Sequence, residues 1–191
     1  TGLVGTYNVT YNVTDAGGNA AAEVTRIVDV VDTTAPAIVL TGTTPVTVEC
    51  GSIYIDSGAT ALDGCEGDLT GAIVVVNPVD AGSVGIYTVT YNVSDTESNA
   101  ATEVTRTVNV VDTQAPVITL NGTSPLDVNC NDTYVDAGAT ANDACDGDLT
   151  SEITIINSVL SGTPGTYTVT YNVNDGAGNA ATEIIRTVTI L

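Results

Sequence analysis

Strict alternation of apolar and polar residues organises this chain. In Tyr87-Thr-Val-Thr-Tyr-Asn-Val93, Tyr87, Val89, Tyr91 and Val93 share one parity, and Thr88, Thr90 and Asn92 take the other. That is the period-two pattern of a strand with one buried face and one wet face. The segment Ser94-Asp-Thr-Glu-Ser-Asn99 follows as a turn, with equivalents in Asp15-Ala-Gly-Gly-Asn19 and Asp175-Gly-Ala-Gly-Asn179, compositions that punctuate hairpins. A second long strand is expected to run back over about 101–111. Shorter strands are expected at Ala37–Leu40, Val46–Cys50, Gly58–Ala61 and Ile73–Val76. About six or seven short strands in so few residues point to a Greek-key sandwich.

The pattern repeats without gaps at an offset of 167 − 87 = 80, which aligns Tyr7, Tyr87 and Tyr167, and Arg26, Arg106 and Arg186. Between 33–111 and 113–191, 43 of 79 positions are identical. The chain therefore reads as two full repeats, 33–112 and 113–191, preceded by 1–32, which matches the last part of a repeat. A period of this length suits tandem autonomous domains better than a solenoid. The strand pair expected in 1–32 is not stable alone. It reads as the end of a repeat whose upstream part is missing, in preference to a strand donated to another molecule, because both full repeats already hold the matching strands.

Composition removes whole classes of function. Against 23 Asp+Glu stand 3 Lys+Arg, a formal charge of −20, and His, Met, Trp and Phe are absent. All three basic residues are Arg, so Lys is absent too. Without His or Lys there is no imidazole base, no Ser-His or Cys-His nucleophile, no Schiff base and no Lys–Asn isopeptide bond. Such a charge repels nucleic acid and anionic membranes. Hydrophobic residues make up 43% and charged ones 14%, which is not a disordered composition. No apolar run approaches the roughly 20 residues that span a bilayer. A start at Thr1 is expected of a mature or excised piece whose address has been removed.

Two residue types stand out against the strand pattern. Arg106 shares the parity of Val104, Val108 and Val110. It is expected to bury its stem in the core and reach a carboxylate at the sandwich rim, the alternative being a β-bulge that turns it outward. The four cysteines form two equivalent pairs, Cys50/Cys65 and Cys130/Cys145. One disulfide within each repeat is the economical pairing, closing a loop of about 16 residues and worth roughly 3 kcal/mol. Zinc competes poorly, with two thiolates and no His. Disulfides place the protein in an oxidising, extracytosolic space.

The acidic residues are clustered. Asp63-Gly-Cys-Glu-Gly-Asp68 recurs as Asp143-Ala-Cys-Asp-Gly-Asp148, the turns Asp15–Asn19, Asp95–Asn99 and Asp175–Asn179 recur, and Asp32 and Asp112 sit on the linkers. In a Greek-key sandwich these loops and the incoming linker meet at one end. Asp32 is then expected beside Asp63, Asp68 and Asp95, and Asp112 beside Asp143, Asp148 and Asp175. Two like charges about 5 Å apart at an effective dielectric near 20 repel by about 3 kcal/mol. One Arg per repeat does not offset that, whereas calcium does, taking six to eight oxygens from carboxylates, amides and carbonyls in flexible loops. The expected metal ligands are these acids together with Asn19, Asn99 and Asn179, although Asp, Asn and Gly also fill ordinary solvated turns.

The order Asp-Thr-x-Ala-Pro-x-Ile, Tyr-x-Asp-x-Gly-Ala-Thr-Ala, Asp-x-Cys-x-Gly-Asp-Leu-Thr, Gly-x-Tyr-Thr-Val-Thr-Tyr-Asn-Val and Asp-x-x-x-Asn-Ala-Ala resembles bacterial immunoglobulin-like repeats. These occur in tandem in surface proteins and beside pesticidal crystal toxins. The order is also similar to hyalin-type (HYR) repeats. The resemblance covers both full repeats and the leading fragment. It implies tandem immunoglobulin-like sandwiches in extracellular arrays that serve as stalks or adhesins, and the linker acids parallel the calcium joints of cadherins by analogy. Repeat 33–112 departs from the pattern at Thr96-Glu97-Ser98, where a Gly is expected before Asn99. The first functional expectation is thus a non-enzymatic, secreted or cell-surface array stiffened by calcium. Its partners would be its own neighbouring repeats, with self-association into a fibre. The alternative is a ligand-binding accessory module of a secreted enzyme or toxin. Sugar platforms use exposed aromatics, but Tyr7, Tyr11, Tyr87, Tyr91, Tyr167 and Tyr171 fall on the expected core face, leaving Tyr54 and Tyr134. Paired carboxylates suit glycoside hydrolysis only in a cleft, which turn acids do not make. Sequons at Asn8, Asn12, Asn92, Asn121 and Asn131 offer sites for glycans.

Overall fold

The computed structural model describes residues 3–191; Thr1 and Gly2, at the head of the expected partial repeat, lie outside them. The described chain is all-β apart from two three-residue 3-10 turns, Thr70–Ala72 and Thr150–Glu152. A leading hairpin pairs β1 (Gly5–Tyr11) with β2 (Val24–Val30). Seven strands follow: β3 (Ala37–Leu40), β4 (Val46–Glu49), β5 (Ala59–Asp63), β6 (Gly67–Asp68), β7 (Val74–Val76), β8 (Gly85–Asn92) and β9 (Val104–Val111). They form two sheets, β3-β5-β6 and β4-β9-β8-β7. The next seven repeat the arrangement: β10 (Val117–Leu120), β11 (Leu126–Val128), β12 (Ala139–Asp143), β13 (Gly147–Asp148), β14 (Thr154–Asn157), β15 (Gly165–Asn172) and β16 (Ile184–Ile190). Their sheets run β10-β12-β13 and β11-β16-β15-β14. A three-stranded and a four-stranded sheet closing on one core is the immunoglobulin-like sandwich.

The alternation holds where it is longest. Along β8, Val89 and Tyr91 are buried, and along β9 Arg106, Val108 and Val110 are buried. The same positions in the second sandwich, Val169, Tyr171, Arg186, Val188 and Ile190, pack with Ile118, Ala139 and Ala141 into its core. By contacts the chain divides into two compact units. The first is Thr1–Val46, Ile55–Val79 and Thr88–Val108; the second is Thr47–Tyr54, Asp80–Tyr87 and Asn109–Leu191.

The buried arginine behaves as its parity requires. Arg106 is 1% exposed. Its Nε approaches Asp56 Oδ1 at 3.2 Å and donates to the Tyr91 hydroxyl at 3.2 Å, while the Nη groups donate to the carbonyls of Thr41, Thr43 and Gly58 at 2.5, 3.2 and 2.9 Å. No bulge turns it outward. Arg186 is buried likewise, but it meets Asp136 through Nη1 at 2.7 Å, its Nη2 donates to the carbonyls of Asn121 and Gly138, and its Nε has no hydrogen-bond partner.

Two expectations need correction. In the leading hairpin the predicted core face is uncovered. Tyr11 is 50% exposed where its equivalents Tyr91 and Tyr171 are 0% exposed, and Tyr7, Val9 and Val13 are exposed as well. The strands that cover this face in the full repeats have no counterpart in 3–32.

The cysteine pairing is also different. The disulfide joins Cys50 to Cys145, with Cα atoms 5.2 Å apart, and Cys65 and Cys130 are free. Pairing within a repeat fails on distance, as the second sandwich makes plain. The Cys130 N–H donates to Leu191 O just past the far end of β16. Cys145 follows Asp143, which lies beside Asp112 at the end where the chain enters the sandwich. The seven residues of β16 put roughly 24 Å between the two levels, against the 4.4–6.8 Å a disulfide spans between Cα atoms.

Candidate metal centre

Two groups of ligand atoms converge, each set within 4.8 Å of one another: Asp32, Asp63 and Cys65 in the first repeat, and Asp112, Asp143 and Asp146 in the second, the two aspartates of the first matching Asp112 and Asp143 while Cys65 and Asp146 are not counterparts. Each is assembled from a linker and the β5–β6 or β12–β13 loop. The loop folds around its first aspartate. Asp63 Oδ1 accepts from the backbone N–H of Cys65 at 2.7 Å and of Glu66 at 3.0 Å. Asp143 does the same with Cys145 and Asp146 at 2.7 and 3.0 Å. The linker aspartates make a tight turn of their own, Asp32 Oδ1 accepting from Thr34 N at 2.9 Å and Asp112 Oδ1 from Gln114 N at 3.3 Å.

In each case one carboxylate oxygen is used by the backbone. The other oxygens of Asp32, Asp63 and Asp112 are buried without a hydrogen-bond partner. Asp32 is 7% and Asp63 4% exposed. Buried acceptors are nearly always satisfied, and charged ones left bare are expensive, so these oxygens mark a place that suits a cation.

The titration behaviour carries the same strain. Burial, and after it the nearby carboxylates of Asp143, Asp175 and Asp146, pushes the Asp112 carboxyl up, against the pull of the Gln114 N–H. Burial and the negative Asp32 push the Cys65 thiol up. Asp63 is held below the usual carboxylate range, because the backbone N–H groups of Glu66 and Cys65 favour its charged form.

The hairpin acids play a different part from the one expected. Asp95 is buried beside the first cluster, but both its oxygens are taken by Asn99, from the backbone N–H and from Nδ2 at 2.7 Å each. The Asn99 amide also donates to Asp32 O at 3.3 Å, tying the linker to the hairpin. Asp175, Asn179 and Asp112 O reproduce this at 2.7, 2.7 and 3.3 Å. These residues position the linker. Ser98, with φ 68°, adopts the left-handed backbone that Gly18 and Gly178 adopt in the other two hairpins, so the missing glycine does not change the turn.

Asp68 and Asp148 lie outside the clusters. Each is exposed and accepts from the following Thr70 or Thr150 N–H at 2.9 Å. The register explains it: Asp68 pairs across from Leu62, which is 65% exposed, and Asp63 lies on the opposite face. The Asp15 carboxylate accepts from the Asn19 N–H and Nδ2 at 2.9 Å each in the exposed leading hairpin, and neither residue joins a group of three ligands among the described residues. The sequence reading missed Asp146 and the Cys65 thiol as cluster members. Both stand in the recurring Asp-x-Cys-x-Gly-Asp stretch. Their signal was the loop curling back on its first Asp, which a listing of acids does not convey. Tyr134 is half-buried, with its hydroxyl donating to Asp136 at 2.6 Å, and Tyr54 is half-buried too, so neither forms an exposed aromatic platform.

Comparison with known proteins places this architecture. The family model described as "Bacterial surface protein, Ig-like domain" matches residues 38–110 and 118–190, and the chain belongs to that family. It is 30% identical over 98% of its length to an uncharacterised 81.3 kDa protein of Acholeplasma phage L2 and 32% identical over 98% to hyalin of Strongylocentrotus purpuratus. It spans only 26% and 16% of those relatives. Similar solved structures include the M60 catalytic domain with the CBM51-1 and CBM51-2 domains of Clostridium perfringens ZmpB (14% identity, 94% of this chain and 32% of that one, TM-score 0.47). The Protocadherin GammaB4 extracellular domain is another (13% identity, 97% and 36%, TM-score 0.39). Family and disulfide together place the protein outside the cytosol, extracellular or at a cell surface. No helix among the described residues is long and apolar enough to cross a membrane.

Proposed function

We propose that this protein is a non-enzymatic structural or adhesive array of immunoglobulin-like repeats, and that each acidic cluster takes one calcium ion that braces the linker against its sandwich. The observation that carries this is the set of buried, unpartnered carboxylate oxygens on Asp32, Asp63 and Asp112. They belong to two clusters whose linker and loop aspartates, Asp32 with Asp63 and Asp112 with Asp143, recur one repeat apart. The donor set is dominated by hard oxygens without His, which favours calcium over transition metals. The Asp146 carboxylate, whose Oδ2 also accepts from Gly176 N at 2.6 Å, links the second cluster to the hairpin. The sequence resemblance and the family point to the same role.

The test is calcium titration by calorimetry with thermal melts in calcium and in chelator. Two binding events are expected. At a hundredfold excess over Kd, linkage adds about 2.7 kcal/mol, a Tm rise on the order of 10 °C for a domain of this size. Asp63→Asn and Asp143→Asn should each remove one event. Identical melts in calcium and chelator, with no heat of binding, would refute the proposal.

A further inference from the structure

The free cysteines are not random leftovers. The observed bond joins positions 95 residues apart. Shifted by one repeat, Cys50 becomes 50 + 80 = 130 and Cys145 becomes 145 − 80 = 65, the two cysteines left free. The bond therefore links the cysteine at the end of the second strand of one repeat to the loop cysteine of the next. Each free cysteine already sits in the backbone setting of its bonded counterpart. Cys50 N–H donates to Val111 O at 2.7 Å, and Cys130 N–H to the equivalent Leu191 O at 3.0 Å. Cys65 and Cys145 N–H groups both donate to the loop aspartate at 2.7 Å. Cys65 is exposed where Cys145 is half-buried, and Cys130 is half-buried where Cys50 is 2% exposed. Both residues are thus less covered than their bonded counterparts, and the Cys130 thiol donates to Gly162 O at 3.1 Å.

We propose that Cys65 and Cys130 are the open halves of the same inter-repeat crosslink: Cys130 takes the loop cysteine of a following repeat, and Cys65 the strand-end cysteine of a preceding one. The array is then a head-to-tail disulfide ladder in which every repeat is bonded covalently to both neighbours. Asn131 stands where Gly51 does at the turn after the strand-end cysteine but does not share its positive φ, so this turn rearranges when the bond closes. The chemistry is exchange with a small disulfide oxidant such as oxidised glutathione. One protein thiolate attacks the oxidant and releases one glutathione thiol. The second protein thiolate attacks the mixed disulfide and releases the other. Two protein thiols lose two protons and two electrons, and one oxidant disulfide becomes two thiols. The ladder takes the Cys65 thiol out of the first cluster and leaves the Asp32 and Asp63 oxygens for a cation.

The test begins with the chain as it stands, oxidised with glutathione disulfide, denatured, alkylated and peptide-mapped. The ladder leaves Cys65 and Cys130 outside any protein disulfide, as thiols or glutathione mixed disulfides, and one Cys50–Cys145 peptide, whereas pairing within repeats leaves neither. The second arm appends a copy of residues 112–191 after Leu191. Cys130 should now be bonded to the added loop cysteine, still with two cysteines outside any protein disulfide, and the Cys50–Cys145 bond reports that the chain has folded. A third arm mixes the Cys65→Ser and Cys130→Ser chains. A mixed Cys130–Cys65 dimer shows that a repeat of a second molecule also serves as partner, and its absence beside a crosslinked extended chain assigns the bond to repeats in one chain. Cys50–Cys65 or Cys130–Cys145 peptides, symmetric dimers of either single variant, or a Cys130 that stays outside any protein disulfide in the extended chain while Cys50–Cys145 forms would overturn the proposal.

Discussion

Replacing Arg106 with Met tests the physical account of the core most directly. Met keeps much of the stem volume and removes the guanidinium, which is 1% exposed and spread over Asp56, the Tyr91 hydroxyl and the carbonyls of Thr41, Thr43 and Gly58. Breaking a buried ion pair from one side costs about 3–5 kcal/mol. Each buried carbonyl left bare adds about 1 kcal/mol or more, although such terms do not sum. A loss near 4 kcal/mol is therefore expected. A domain of this size has roughly 4–12 kcal/mol in all, so the first sandwich should lie close to unfolding. Urea titration followed by tyrosine fluorescence and circular dichroism measures it, and Arg186→Met should show a similar loss in the second sandwich. Arg106→Lys keeps the charge but not the fork of donors and should lose about half as much. Adding Asp56→Asn to Arg106→Met should recover part of the loss by removing the orphaned charge. A loss below about 1 kcal/mol for Arg106→Met, or a lysine variant equal to the parent, would refute the reasoning.

Two further outcomes follow from named contacts. Burial pushes Asp136 up, but the hydroxyls of Tyr134 and Tyr171 and the Arg186 charge outweigh it and hold the carboxyl below its ordinary value. A depressed folded pKa adds stability that is fully present above the unfolded value, about 3.9, and is lost as pH falls through the folded one. Asp136→Asn should therefore flatten the fall of Tm below about pH 4, even though it lowers Tm at neutral pH; an unchanged slope would exclude this role. At Gly51, φ is 78° and an added Cβ would lie 2.6 Å from the Ala144 carbonyl oxygen. Gly51→Ala should hold the Cys50 and Cys145 turns apart, so that thiol counting finds incomplete Cys50–Cys145 oxidation; full oxidation with an unchanged melt would show that the approach is not tight.

What the sequence made legible was whatever depends on parity and period. Val89, Tyr91, Arg106 and Val108 sit where alternation puts them, because one face of each long strand is buried and a slip of one residue would invert every side chain. The reach of Arg106 to a rim carboxylate was readable for the same reason. The cysteine pairing was not, because equal spacing in two repeats is as consistent with bonds between repeats as within them, and only the level of each cysteine along the sandwich decides. The acidic ends were half legible. Asp32, Asp63, Asp112 and Asp143 converge, but Asp68 and Asp148 face outward with Leu62 and Asn142, because a two-residue strand across from β5 or β12 carries its own in-and-out parity. Tyr11 shows the other limit: its pattern gives the face it belongs to, and the neighbouring strands decide whether that face is covered.

The Cys50–Cys145 bond has a mechanical consequence. Its ends are 95 residues apart in the chain, and that much polypeptide pulled straight would span roughly 320 Å. Under tension the load passes through the sulfur atoms and never reaches the enclosed loop, so unravelling β5 to β9 inside it yields no extra reach. Stretching can draw slack only from the segments outside the loop. Until that bond is cut, the reach of the molecule under load is set by those outer segments alone.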